Sequence, residues 1–251
     1  MIKTLHIAAQ YLTAAAITFV EKKDDDSHTN LDWSNENATL SSRPLNSGGD
    51  VLALNLTSFS LEWRNYDQLM SSFNLAGEKH QTVLLWIKEQ LEKAGGQKPY
   101  MYEFHYDIGY GINMTDYIFP QPDIKELNRI AELLSIAQNA MTSVLNEQSL
   151  NSEIRVWSHH FDIGAFAVVS EKVSLGFGLA IPDSMMDDFY YYISGYQSED
   201  YLETKNFEQL KIGEWKTESW KAGTLKATGI SEQQAQQFLN ETINAYREKY
   251  A

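Results

Sequence analysis

Leu5, Ala8, Leu12, Ala15 and Phe19 recur at three- and four-residue spacing, which predicts an amphipathic helix over about residues 2–20. The charged run Glu21-Lys-Lys-Asp-Asp-Asp26 is its exit. Between Val51 and Trp63 the pattern changes to alternation. Leu52, Leu54 and Leu56 share one parity, and Phe59, Leu61 and Trp63 share the other. That phase slip predicts one or two strands with a bulge or bend near Thr57. A second helix over about 78–94 follows from Val83, Leu84, Ile87 and Leu91, with Gly95-Gly96 as its stop. Residues 99–122, rich in Tyr and Gly, read as a connection with no clear period.

Pro120-Gln-Pro122 closes that connection, and Asp123 with Glu126 forms a capping-box start. The helix it opens carries the cleanest stripe of the chain: Leu127, Ile130, Leu134, Ala137, Met141 and Val144. Strands are expected at about 153–169, 172–181 and 188–196, with a weaker one near 223–230. Ser231 and Gln234 cap a closing helix that buries Phe238, Leu239, Ile243 and Tyr246. Both halves thus read helix, strands, helix. The expected fold is α+β, built from two similar halves, 1–119 and 120–251, with antiparallel sheets, pseudo-twofold symmetry and the halves packed as one unit. Local matches agree with a duplication: Ala9-Gln10 with Ala137-Gln138, and His28-Thr-Asn30-Leu31 with His160-Phe-Asp162-Ile163, an offset of 160 − 28 = 132.

Composition narrows the classes. Apolar residues make up 43% and aromatics 12% of 251 residues, enough for a sizeable core. Against 20 basic residues stand 34 acidic ones, a net charge of −14, which repels phosphate backbones and anionic lipid; neither nucleic acid nor membrane is an expected partner. Absence of cysteine removes disulfides, thiolate ligands and thiol nucleophiles together. No run reaches the ~18 apolar residues of a membrane span. His6, Gln10 and Thr13 interrupt the N-terminal apolar stretch, unlike the core of a signal peptide, so a cytoplasmic location is expected.

Candidate chemistry gathers at two segments. In Asp26-Ser-His28-Thr-Asn30-Leu-Asp32, an extended chain would put Asp26, His28, Asn30 and Asp32 on one face. In Trp157-Ser-His159-His160-Phe-Asp162, the same parity groups His160 with Ser158 and Asp162 and leaves His159 among apolar neighbours, destined for the core. Under pseudo-symmetry His28 and His160 would approach each other. With Asp162 they could ligate a divalent metal, or perform acid–base chemistry, or merely tie strand ends by hydrogen bonds. Compact ligand spacing such as HExxH is absent. In Lys172 to Ile181, the positions Ser174, Gly176, Gly178 and Ala180 leave one strand face nearly bare, open to a helix, a backbone or a ligand.

Asp25-Asp-Ser-His-Thr-Asn-Leu31 with Trp33, and Arg155-Val-Trp-Ser-His-His-Phe-Asp162, resemble the two signature segments of a bacterial family of uncharacterised proteins. The resemblance extends to Leu5-His-Ile-Ala-Ala-Gln10 and Ser174-Leu-Gly-Phe-Gly178, and so through most of the chain. It brings no activity with it. It does imply that His28, Asn30, His160, Asp162 and Glu218 belong to one site. A later family segment reads Gly-x-Trp-His-Thr-Glu; here Gly213-Glu-Trp-Lys216-Thr-Glu218 puts lysine where a third histidine would stand. That favours a metal-free site, with His28, His160 and Asp162 as its chemistry and Asn30, Lys216 and Glu218 holding a ligand. No cofactor is assigned. The leading expectation is a small-molecule binding protein or enzyme of unassigned reaction with this site between the halves. The rival is a structural or interaction protein whose polar motifs only fasten strands.

Overall fold

The fold is α+β, as read from the sequence. The computed structural model describes residues 1–198 and 200–250. Its chain divides into two compact units, residues 1–132 with 157–160, and residues 133–156 with 161–250.

In the first unit, helix α1 (Ile2–Phe19) precedes a short 3-10 turn (Ser27–Thr29) and five strands: β1 (Asp32–Ser34), β2 (Thr39–Ser41), β3 (Asp50–Asn55), β4 (Ser60–Asn65) and β5 (Gln68–Asn74). The strands form an antiparallel meander in sequence order. The bend expected near Thr57 is the four-residue turn 56–59 between β3 and β4. Helix α2 (His80–Lys93) follows, burying Val83, Trp86, Ile87 and Leu91, with Trp86 stacked on Phe73 of β5 at 5.5 Å. Gly95, at φ 77°, ends it, as the left-handed conformation there requires. Helix α1 is buried from Thr4 to Ala16 on every side, because its five alanines between 8 and 16 let neighbours approach all round.

Helix α3 (Ile124–Glu147) runs from one unit into the other, capped at its start by Asp123, whose Oδ1 accepts from the backbone N–H groups of Lys125 and Glu126.

The second unit has β6 (Arg155–Trp157), β7 (Asp162–Ser170), β8 (Val173–Ala180), β9 (Tyr190–Gln197), β10 (Asp200–Tyr201), β11 (Glu214–Thr217), β12 (Lys221–Lys226) and α4 (Glu232–Tyr250). Its sheet order is β11-β12-β9-β8-β7-β6, with β10 paired to β9. Leu175, Phe177 and Leu179 face the core, and α4 buries Phe238, Leu239, Ile243 and Tyr246 as its capping box foretold. The bare face of β8 is covered by side chains of its own sheet. Gly178 pairs with Gly164 on one side and Tyr192 on the other, and the Tyr192 hydroxyl lies above Gly164.

The strand orders run alike through four strands and then part, since β9 pairs with both β10 and β12 and the sheet continues through β12 to β11. The 132-residue offset does not join equivalent positions. His28 lies in the 3-10 turn ahead of β1, whereas His160 lies in the turn between β6 and β7. The turns that do correspond in length are 35–38 and 158–161, each leading from the first strand of its sheet to the second. Each ends in a left-handed residue, Ala38 at φ 50° and Phe161 at φ 59°, an offset of 161 − 38 = 123.

Candidate functional site

In the first unit the chemistry begins on α1. His6 and Gln10 sit one turn apart on a helix of small apolar residues, so their side chains lie on one face. Both reach the same backbone acceptor. His6 Nε2 and Gln10 Nε2 each donate to the Ser158 carbonyl at 2.8 Å. A carbonyl can only accept, so the His6 proton is on Nε2, and Nδ1 accepts from the Tyr110 hydroxyl at 2.9 Å. Gln10 Oε1 accepts from the Tyr106 hydroxyl at 2.8 Å. His6 is 3% exposed, and burial pulls its pKa from 6.5 to about 4. The Ser158 carbonyl opposes that shift, and the neighbouring His160 and His159 reinforce it.

Tyr106 and Tyr110 belong to residues 99–113, a strap outside any helix or strand, with bends at 105–106 and 109. Its even-numbered residues from Tyr102 to Ile112 are half-buried, and its odd-numbered ones are exposed. That is the alternation of a strand, with side chains in place of a ladder. The Tyr100 hydroxyl donates to the Tyr11 carbonyl at 3.0 Å, Met101 N–H donates to Thr18 Oγ1 at 3.2 Å, and Lys98 Nζ donates to the Thr18 carbonyl. Since 98–101 meets Thr18 and Tyr11 while 110 meets His6, the strap runs antiparallel to α1.

Between the strap and α1 lies a cavity of about 180 Å³. Ile7 and Gln10 line it from the helix, and Tyr102, Phe104, Tyr106 and Tyr110 from the strap. Burial raises the pKa of all three tyrosines, so they remain neutral hydroxyls. Replacing Gln10 by Leu strips partners from both Tyr106 and Ser158 at a position 1% exposed. The expected loss is about 2 kcal/mol in urea unfolding, with a double-mutant cycle against Tyr106→Phe showing coupling of about 1 kcal/mol.

The expected site residues are spread differently from the reading of strand parity. Residues 27–29 are helical and Asp26 is left-handed at φ 56°, so Asp26 to Asp32 is not one extended strand and His28 and Asn30 share no strand face. Both are buried; His28 Nδ1 accepts from the Lys23 N–H at 3.3 Å, and burial lowers its pKa against the pull of Asp26. Residues 158–161 are a turn, which ends the alternation, so His159 is exposed rather than in the core, as is His160. Their rings stand 4.2 Å apart, and His159 also meets Tyr106 at 5.9 Å. Asp26, paired with His105 at 3.0 Å, acts on both His28 and His159. His28 and His160 therefore belong to one histidine-rich neighbourhood of the first unit. Among the described residues, no three His, Asp or Glu side chains are grouped to hold a metal ion.

Asp162, Lys216 and Glu218 belong to the second unit. Asp162, 9% exposed, accepts from the Tyr192 hydroxyl at 2.5 Å, and burial together with the Asp162 charge holds that phenol's pKa well above its usual value. Lys216 pairs with Ala222, and Thr224 pairs with Tyr192, so Lys216 lies on the sheet face that carries Tyr192 and Asp162. Four strand steps separate β11 from β7, roughly 19 Å along the sheet, too far for one small ligand to touch both. Lys216 Nζ is engaged by Glu214 at 2.5 Å, and Glu218 is exposed in the bend after β11. His6, Gln10 and the strap tyrosines were not singled out as site residues by the sequence.

No protein-family model matches the chain, and no curated protein or solved structure matches it. No helix among the described residues is long and apolar enough to cross a membrane.

Proposed function

We propose that the protein binds a small organic molecule in the first unit, in the cavity between α1 and the strap. The observation that carries this reading is the cavity itself: about 180 Å³, walled by aromatic rings, with the few polar groups of Gln10, Tyr106 and Tyr110 at fixed positions. Apolar walls with sparse, oriented polar groups are the usual make-up of ligand sites. The volume suits a molecule near the size of a single ring, since a cavity of about 150 Å³ accepts benzene. His159, packed on Tyr106, joins this site to the histidine-rich neighbourhood of His28, His105 and His160. The rival reading, polar groups that only fasten the chain, accounts for the His6 and Gln10 bonds but leaves the cavity without a purpose.

The test fills the cavity from the strap. Ile108, half-buried and part of the lining, is replaced by Trp. Ring-sized compounds that raise the Tm of the unaltered protein are expected to lose that effect in Ile108→Trp, whose own Tm stays within a few degrees. Stabilisation that persists in the filled variant, or none from any compound at millimolar concentration, defeats the proposal.

A further inference from the structure

We infer that the occupant of this cavity is an organic ammonium ion, of the methylated kind that is both greasy and positively charged; this rests on the ligand site proposed above. The lining contains one formal charge, the carboxylate of Asp107. Its other groups are four aromatic rings (Tyr102, Phe104, Tyr106 and Tyr110), aliphatic side chains, Met114 and the neutral amide of Gln10. An anionic ligand would meet Asp107 with no cationic side chain lining the cavity, the Lys3 ammonium being held on the Tyr110 ring, in a protein of net charge −14. A strongly hydrated ammonium would lose its water against the isoleucines Ile7, Ile108 and Ile112. A methylated ammonium avoids both costs. Its methyl groups pack on the aliphatic wall, its charge is attracted by ring faces, and Asp107 supplies the counter-charge.

Two further features agree. The rings keep their neutral, electron-rich form, because burial holds the phenols of Tyr102, Tyr106 and Tyr110 protonated. His6, bonded to Tyr110, is uncharged at neutral pH and adds no positive charge behind the wall. Tyr110 already takes an ammonium in this structure: Lys3 Nζ stands 4.8 Å from its ring centroid. Asp107 Oδ1 also accepts from the Gly109 N–H at 2.8 Å, which fixes the turn that carries the carboxylate.

The experiment compares choline with 3,3-dimethylbutan-1-ol, its uncharged carbon counterpart, by calorimetric titration of the whole protein at neutral pH and low salt. Choline is expected to bind at least tenfold more tightly, and Asp107→Asn to remove most of that preference. Asparagine keeps the oxygen that accepts from Gly109, so the turn survives and only the charge is lost. Equal binding of the two probes, abolished by Ile108→Trp, overturns the ammonium assignment while leaving the ligand site standing. A choline preference unchanged in Asp107→Asn and in Ile108→Trp places the cation elsewhere and overturns it as well. If neither probe binds at 10-millimolar levels, the ammonium assignment falls, and the screen against Ile108→Trp decides the broader reading separately.

Discussion

Gly178→Ala is expected to destabilise the protein by more than about 3 kcal/mol, and to prevent folding if the margin is small. A methyl group at Gly178 would sit 2.2 Å from the Ile163 carbonyl oxygen and 2.7 Å from the Gly164 Cα. Both are backbone atoms of β7, so no rotamer change relieves the contact; the strands must separate. They cannot do so locally, because Gly178 is paired with Gly164 on β7 and with Tyr192 on β9 at the same level. Moving β7 would also disturb the Tyr192 bond to Asp162, leaving a carboxylate oxygen less well satisfied at a buried position. Gly176→Ala is the internal control. There the nearest atoms are ring carbons of Tyr196 at 3.3 Å and Phe166 at 3.5 Å, side chains at a more exposed part of the face that can shift. A cost below about 1 kcal/mol is expected for it. Urea unfolding of the two variants separates the cases; similar costs would show that the close approach of β7 and β8 is not what the glycine serves.

Where local chemistry decides, the sequence was readable. The Asp123 cap, the Ser231–Gln234 capping box, the glycine stop after α2 and the phase slip near Thr57 all depend on nearest neighbours, and each has its counterpart in the fold. The Glu126 carboxylate, however, bonds Arg129 instead of completing a box with Asp123. Parity failed where a residue without a turn signature takes a left-handed backbone. Phe161, at φ 59°, closes a four-residue turn, though a bulky aromatic is seldom found there. Reading through it as a strand sent His159 to the core. Asp26, at φ 56°, also broke the alternation of the N-terminal segment, although aspartate tolerates that conformation and marks turns. The strap is the opposite case. Tyr100, Tyr102, Phe104, Tyr106, Ile108, Tyr110, Ile112 and Met114 occupy every even position, a period of two that was legible throughout. Two glycines, Gly109 and Gly111, and the lack of a partner strand hid it, because alternation is usually taken to mean a sheet. In α1, His6 and Gln10 counted only as interruptions of an apolar run. Nothing local says that an interruption is a fastening point, for its partners lie 104 and 96 residues away at Tyr110 and Tyr106. Grouping Asp162 with His160 failed to anticipate that the turn ends between them, with His160 exposed and Asp162 buried.

Acidification is expected to weaken the protein between about pH 6.5 and 4, by about 3 kcal/mol through His6 alone. His6 titrates at about 4 when folded and at 6.5 when unfolded, so the unfolded chain takes up its proton first. Stability from this group is therefore complete above pH 6.5, falls as the pH drops toward 4, and levels off below. The difference of 6.5 − 4, or about 2.5 pH units, at about 1.4 kcal/mol per unit gives about 3.5 kcal/mol in full, of which about 3 is lost by pH 4, where the folded group is half protonated. The surroundings offer the imidazolium little help. Lys3 shares its helix, Tyr110 and the Ser158 carbonyl are its bonded partners, and His160 and His159 from the turn oppose a positive charge on it. Protonation at Nδ1 would also force the Tyr110 hydroxyl to stop donating and turn to accept. His28, His80 and His159, each held below its ordinary pKa first by burial, add to the loss with the same sign. Glu126, held low chiefly by its hydrogen bond from Arg129, gives up its contribution only at lower pH. The measurement is urea unfolding at half-unit steps from pH 7.5 to 4, on the unaltered protein and on His6→Gln. Glutamine can donate to Ser158 but does not titrate, so the variant begins less stable and its curve should be flatter by about 3 kcal/mol across the window. Parallel curves would mean that His6 takes its proton in the folded state as readily as in the unfolded one, and that its burial does not govern the response to acid.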